Sequence, residues 1–96
     1  MSRYNIYSIS FTRTSKKQFD SLPNKIKQEV IKILEDEIAL DPLVGKPLHG
    51  PLKGLRSRRI GVLRIIYEII RSELVIMVLS IEHRKSVYLL HKLKKK

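Results

Sequence analysis

The 96-residue chain has no cysteine and no tryptophan, and only 6% of its residues are aromatic. Without cysteine there is neither a disulfide framework nor a zinc-thiolate site, so a stapled secreted scaffold is excluded and a reducing, cytoplasmic location is expected. The fold must stand on packing alone. Aromatic residues this sparse also exclude an RNA binder built as a stacking platform. The start, Met1-Ser2-Arg3-Tyr4-Asn5, lacks the apolar core of a signal peptide. Long hydrophobic runs are missing too: Ile65-Ile66-Tyr67 with Ile69-Ile70, and Leu74 to Leu79, fall far short of the ~20 residues of a membrane span. They read as buried strands, and no membrane partner is expected. Repeats and Ser/Gly linkers are absent, so residues 1–96 are expected to form one small domain.

Acidic residues are scarce in a patterned way. The chain carries 20 Lys plus Arg against 9 Asp plus Glu, a net +11, and every acid lies in residues 1–41 or 68–82. Residues 42–67 hold Lys46, Lys53, Arg56, Arg58, Arg59 and Arg64, and residues 83–96 hold Arg84, Lys85, Lys92, Lys94, Lys95 and Lys96. These 12 cations account for the whole surplus, since the other 8 face all 9 acids. If folding joins the two blocks, one face is basic and the rest nearly neutral, which points to a polyanion, nucleic acid first, or to an acidic partner. Lys94 to Lys96 also fit a solvated tail.

Periodicity gives the order of elements. Tyr7, Ile9 and Phe11 alternate with Ser8 and Ser10 as in a half-buried strand, and Thr12 or Thr14 can cap a short helix through Phe19 and Leu22. Leu22-Pro23 breaks it. From Asn24, the residues Ile26, Val30, Ile33, Leu34 and Ile38 share one helical face that ends at Asp41-Pro42. Three prolines and three glycines lie between Asp41 and Gly54, with Val44, Leu48 and Leu52 among them, so this stretch reads as an ordered loop. The period then becomes 2. Leu55 to Ile60, Val62 to Ile70 and Leu74 to Ile81 form a three-stranded meander, interrupted at Gly61 and at Arg71-Ser72-Glu73. The expectation is an α+β domain, β-α-α-β-β-β with a short C-terminal helix or tail, its helices packed on one face of an antiparallel sheet.

One meander residue is out of place. Arg64 shares parity with Ile66, Glu68 and Ile70, and a guanidinium in an apolar strand needs a partner or a cleft. An ion pair with Glu68 or another nearby carboxylate is one reading. Ile76, Val78, Ser80, Glu82 and Arg84 share parity on the third strand, so neighbouring strands could present Arg64 and Arg84 to one groove. If the chain turns helical after Arg84, Tyr88 and His91 continue the same stripe. Two guanidinium forks and a ring suit a phosphate.

The run Arg59-Ile60-Gly61-Val62-Leu63-Arg64-Ile65-Ile66-Tyr67-Glu68-Ile69, followed by an apolar strand and His83-Arg84-Lys85-Ser86-Val87-Tyr88, resembles the RelE/ParE superfamily of toxins. Leu22-Pro23 before a long helix, Pro47-Leu48 and Leu52-Lys53-Gly54-Leu55 fit the same layout, so the resemblance spans nearly the whole chain. Its RelE-like branch consists of ribonucleases that cut messenger RNA in the ribosomal A site. The resemblance implies the toxin of a type II toxin-antitoxin system that cleaves by 2′-hydroxyl attack, without metal or other cofactor. Such a step needs a proton acceptor, a proton donor and positive charge around the phosphate. By residue-for-residue likeness, Arg64 would clamp the phosphate, Arg84 would serve the leaving oxygen, and Tyr88 would orient the 2′-hydroxyl or stack on a base.

The chain also departs from that pattern. Where relatives often carry lysines, the first meander strand offers Arg56, Arg58 and Arg59, expected with Lys85 to bind RNA, and arginine is a poor proton acceptor. Lys53, crowded by cations, or a histidine is left for the base. His83, of opposite parity to Arg84, and His49, in a Pro/Gly loop, read as structural or solvated, and His91, the better placed of the three, is not assigned a catalytic role either. Leu63 stands where many relatives carry an aromatic residue. Tyr4, Tyr7 and Tyr67 read as packing. Two other readings stay open, a ParE-like gyrase poison and a non-catalytic RNA-binding module. Either toxin reading implies a RelB-like acidic antitoxin that covers the arginines, with a heterotetramer as one expected assembly, and the nuclease reading adds mRNA on the ribosome as partner.

Overall fold

The computed structural model describes residues 6–83. Strand β1 (Ser8–Phe11) leads into helix α1 (Arg13–Asp20), and helix α2 (Asn24–Ile33) runs on into a wider π-turn, Leu34–Ile38. A loop with two short 3₁₀ turns, Pro42–Val44 and Gly50–Leu52, holds the two-residue strand β2 (Lys46–Pro47). The meander follows as β3 (Arg56–Ile60), β4 (Leu63–Ile70) and β5 (Val75–His83). The expected order of elements is therefore present, with β2 added. Two residues of Lys-Pro are too short to show any alternation.

The sheet order is β1-β5-β4-β3-β2. All neighbours are antiparallel except β1 and β5, which run parallel with Ser8 opposite Val75 and Phe11 opposite Val78. The crossover through both helices permits that pairing, since parallel neighbours cannot be joined by a tight turn. The helices cover one face. There Val30, Leu34 and Ile38 meet Ile65, Tyr67, Ile76, Val78 and Ile81 to form the core, and Tyr7, Phe11, Phe19 and Ile26 pack around it. Tyr67 is fully buried, in keeping with its reading as packing.

Helix α1 does more than cover the sheet. Strand β1 stops at Phe11, opposite Val78, which leaves the edge of β5 without a strand partner beyond that residue. Polar groups of α1 and its cap take over. The Thr12 N–H and the Ser15 hydroxyl both donate to the Val78 carbonyl, at 3.1 and 2.7 Å, the Thr12 hydroxyl reaches the Leu79 carbonyl at 3.3 Å, and the Ile81 N–H donates to Gln18 Oε1 at 2.7 Å. Each would otherwise be a backbone group without a partner. Thr12 also accepts from the Ser15 N–H, which makes it the helix cap.

The β4–β5 ladder contains a bulge. Ile66 lies opposite Ser80 and Tyr67 opposite Val78, so Leu79 is the extra residue. It overturns one expectation. Strict alternation puts Ile76, Val78, Ser80 and Glu82 on one face, whereas the bulge turns Ile76 and Val78 toward the helices and Ser80 and Glu82 to the other side, with Arg64 and Ile66. The continuous apolar run Val75 to Ile81 hides the change.

Candidate functional site

The same register divides the arginines. On β3, Arg56 pairs with Tyr67 and Arg58 with Ile65, on the helix side, while Arg59 pairs with Arg64 on the far side. Arg56 donates through Nη1 to the carbonyls of Gly45 at 2.5 Å and Leu43 at 3.3 Å, bracing the loop before β2. Arg58 grips Glu37 Oε1 on the π-turn through Nε at 3.1 Å and Nη2 at 2.8 Å, and also bonds the Arg59 carbonyl. These two side chains are engaged in holding the structure together.

Tyr67 completes the brace from within. Its hydroxyl accepts from the buried Gly45 N–H at 3.0 Å and donates to the Pro42 carbonyl at 2.6 Å. Burial raises the phenol above its ordinary pKa, against the opposing pull of the Gly45 N–H and of Arg56, so the proton needed for Pro42 stays in place at neutral pH. Only glycine fits at position 45, because a Cβ there would lie 2.3 Å from the Tyr67 hydroxyl. The loop carrying Lys46 is thus pinned from two sides.

Between this loop and the sheet lies a groove of about 450 Å³ lined by Val44, Lys46, Leu48, Ser57, Arg58, Arg59 and Arg64. It brings together cations from β2, β3 and β4, because Lys46 pairs with Ser57 and Arg59 with Arg64. Lys46 belongs to the acid-free block, but only its pairing with Ser57 shows that it shares a groove with Arg64. Among the described residues the two ion pairs are Lys16–Asp20 and Arg58–Glu37, so Lys46, Arg59 and Arg64 keep their charge for a ligand. Two other clefts, along α2 and beside β1, are lined partly by acids.

The carboxylate facing Arg64 is Glu82, not Glu68, which is exposed. Glu82 is buried, its Oε2 bonded by the Ser80 hydroxyl. Desolvation raises its carboxyl above the ordinary value, while Ser80 and Arg64 pull the other way. Lys53 is exposed beyond the Gly50–Leu52 turn and is not part of the groove lining. His49 is exposed in its loop, and His83 ends β5 opposite Leu63. Arg84, Lys85, Tyr88, His91 and Tyr4, with the expected C-terminal helix or tail, lie outside the described residues. Among the described residues no three His, Asp or Glu side chains converge as metal ligands, and no helix is long and apolar enough to cross a membrane.

Comparison with known proteins bears on this arrangement. Residues 9–88 match the family model of the ParE toxin of the type II toxin-antitoxin system. The toxin RelG of Mycobacterium tuberculosis is 32% identical over 83 residues, covering 85% of this chain and 95% of that one. The toxin RelE of the same organism is 29% identical over 89 residues, 92% of each chain. Among solved structures, the toxin-antitoxin complex RelBE2 of M. tuberculosis aligns with a TM-score of 0.75 and 33% identity, over 81% of this chain and 91% of that one. A free-state mutant of E. coli RelE aligns with a TM-score of 0.79 over 93% and 95% of the two chains, and at 18% identity that likeness concerns the fold alone. Family model, relatives and fold agree, and the chain belongs to the RelE/ParE superfamily of type II toxin-antitoxin toxins.

Proposed function

We propose that this toxin is a ribosome-dependent, metal-independent endoribonuclease that cuts mRNA by attack of a ribose 2′-hydroxyl on the adjacent phosphate, and so stops translation in the cytoplasm. The observation that carries the reading is the convergence of Lys46, Arg59 and Arg64 in one groove, none of them ion-paired to a carboxylate among the described residues. A phosphate diester gains negative charge at its non-bridging oxygens as the fifth bond forms. Guanidinium groups aimed at those oxygens stabilise that charge, an effect worth about 10²–10³ in rate for one donor. Arg64 is the clamp, and Arg59 and Lys46 hold the flanking backbone.

The rest of the constellation follows the family motif. Arg84, next in the chain after the last residue of β5, would serve the leaving 5′-oxygen, and Tyr88 would orient the attacking hydroxyl. The balancing partner is an acidic, RelB-like antitoxin, since relatives with this fold were solved as complexes with antitoxins. Its carboxylates would occupy the groove that message otherwise fills.

The ParE family model supports a second reading, a gyrase poison. Mapping message 5′ ends on ribosomes after induction separates the two. The nuclease reading expects new ends within codons, lost in Arg64→Ala. Unchanged message together with stabilised gyrase-DNA cleavage complexes would refute it.

A further inference from the structure

Arg64 and Glu82 sit directly opposite each other on β4 and β5. Glu82 is 6% exposed and is the one buried carboxylate among the described residues. Ser80 serves Oε2, whereas Oε1 is buried with no hydrogen-bond partner. Arg64 has the complementary defect, for its Nε is also buried without a partner. The two groups are not ion-paired in this structure.

An unsatisfied buried acceptor and an unsatisfied buried donor each destabilise a fold, and apolar side chains at both positions would serve stability better. Here the two defects face each other as cross-strand neighbours, whose Cβ atoms lie about 4.5–5.5 Å apart in such a ladder. A small side-chain rotation joins them. A guanidinium held at Nε cannot swing, and its two Nη groups are left side by side for a two-point grip on a phosphate.

We propose that Glu82 is a positioning residue for Arg64, accepting its Nε–H when a phosphate diester enters the groove and so aiming the Nη pair at the ester. The inference rests on Arg64 as the phosphate clamp of the reading above. It makes Glu82 a support for the clamp rather than a rival of the phosphate. A rival carboxylate would take the Nη pair itself, and its removal would tighten phosphate binding.

The test uses the full chain as wild type, E82Q, E82L, R64K and R64K/E82Q. The isosteric E82Q carries the test if E82L does not fold. The first readout is the Nε–H NMR signal of Arg64 on titration with inorganic pyrophosphate. It is expected to move downfield and exchange more slowly in wild type, less in E82Q, and not in E82L. The second is single-turnover cleavage of message on programmed ribosomes. E82Q is expected to lower the saturating rate about tenfold, near the effect of 1.4 kcal/mol, with half-saturation within about twofold. R64K/E82Q should cleave no more slowly than R64K alone, because both changes remove one interaction. An Arg64 signal that answers pyrophosphate equally in wild type and E82Q, a wild-type signal that does not answer at all, tighter binding by E82Q, or effects that multiply in the double variant would each overturn the proposal. A wild type that cuts no message would refute the nuclease reading alone, and the pyrophosphate titration would still decide the pairing.

Discussion

Tyr67→Phe removes one oxygen from the core and leaves the ring. That oxygen holds two backbone groups of the loop, the Gly45 N–H at 3.0 Å and the Pro42 carbonyl at 2.6 Å. The Gly45 group is buried and would lose its partner at a cost of about 1–2 kcal/mol, while the Pro42 carbonyl, nearer solvent, would cost about 0.5–1 kcal/mol. The expected loss is therefore about 2 kcal/mol, or roughly 8–16 °C in Tm for a domain of this size. Urea unfolding followed by circular dichroism measures it. Gly45→Ala attacks the same contact from the other side, since its Cβ would meet the hydroxyl at 2.3 Å and two ring carbons at 2.9 Å. Overpacking of that kind costs about 1–3 kcal/mol. The paired variant should lose less than the sum of the two, because phenylalanine removes the closest clash. Tyr67→Phe unfolding within about 0.5 kcal/mol of wild type, or full additivity in the pair, would refute the account of this loop.

Three further outcomes are expected. Arg64→Ala should lower message cleavage by about 10²-fold or more with little change in stability, whereas Arg58→Ala should spare most activity and cost about 0.2–1 kcal/mol, the range for partly exposed ion pairs, as read by kinetics and urea melts on the same samples. Glu82 makes stability depend on pH. Its folded-state pKa is raised, so its contribution favours the folded state below the unfolded-state value and is lost as pH rises through the folded one. E82Q should accordingly raise Tm near pH 7 but not near pH 4, and a wild type and variant whose Tm profiles run parallel would contradict this sign. In binding to an uncleavable 2′-deoxy analogue of a short message, Arg59→Ala should reduce the slope of log K against log salt by about 0.7, the value for one single-strand phosphate contact. An unchanged slope would remove Arg59 from the interface.

Much of this molecule is legible in its sequence, because helices and half-buried strands leave periods of 3.6 and 2. The α2 stripe from Ile26 to Ile38, the Thr12 cap and the three meander strands follow from local pattern. What stays hidden depends on contacts distant in sequence. Val75 to Ile81 is apolar at nearly every position, so nothing in it marks Leu79 as an extra residue, and the faces of Ile76 and Glu82 become known only from the β4 register. Arg56, Arg58 and Arg59 read alike as a basic block, yet one residue of alternation separates Arg56 and Arg58, whose side chains bond to the loop and the π-turn, from Arg59, which makes no ion pair. Lys46 joins the site through a two-residue strand that carries no periodic signal. Parity on its own strand singles out Glu68 beside Arg64 but cannot choose among nearby carboxylates, and the one that faces it, Glu82, lies across the ladder.

The parallel pairing of β1 with β5 also has a consequence in time. Ser8 to Phe11 find their strand partner only in Val75 to Val78, and the long-range hydrogen bonds of Thr12, Ser15 and Gln18 all go to residues 78–81. During synthesis, therefore, β1 and α1 wait for β5, and the distant closure makes assembly slow to begin. A product that stops short of β5 cannot complete the core or set Glu82 beside Arg64. A chain still short of β5 on the ribosome therefore lacks the sheet on which the groove is built.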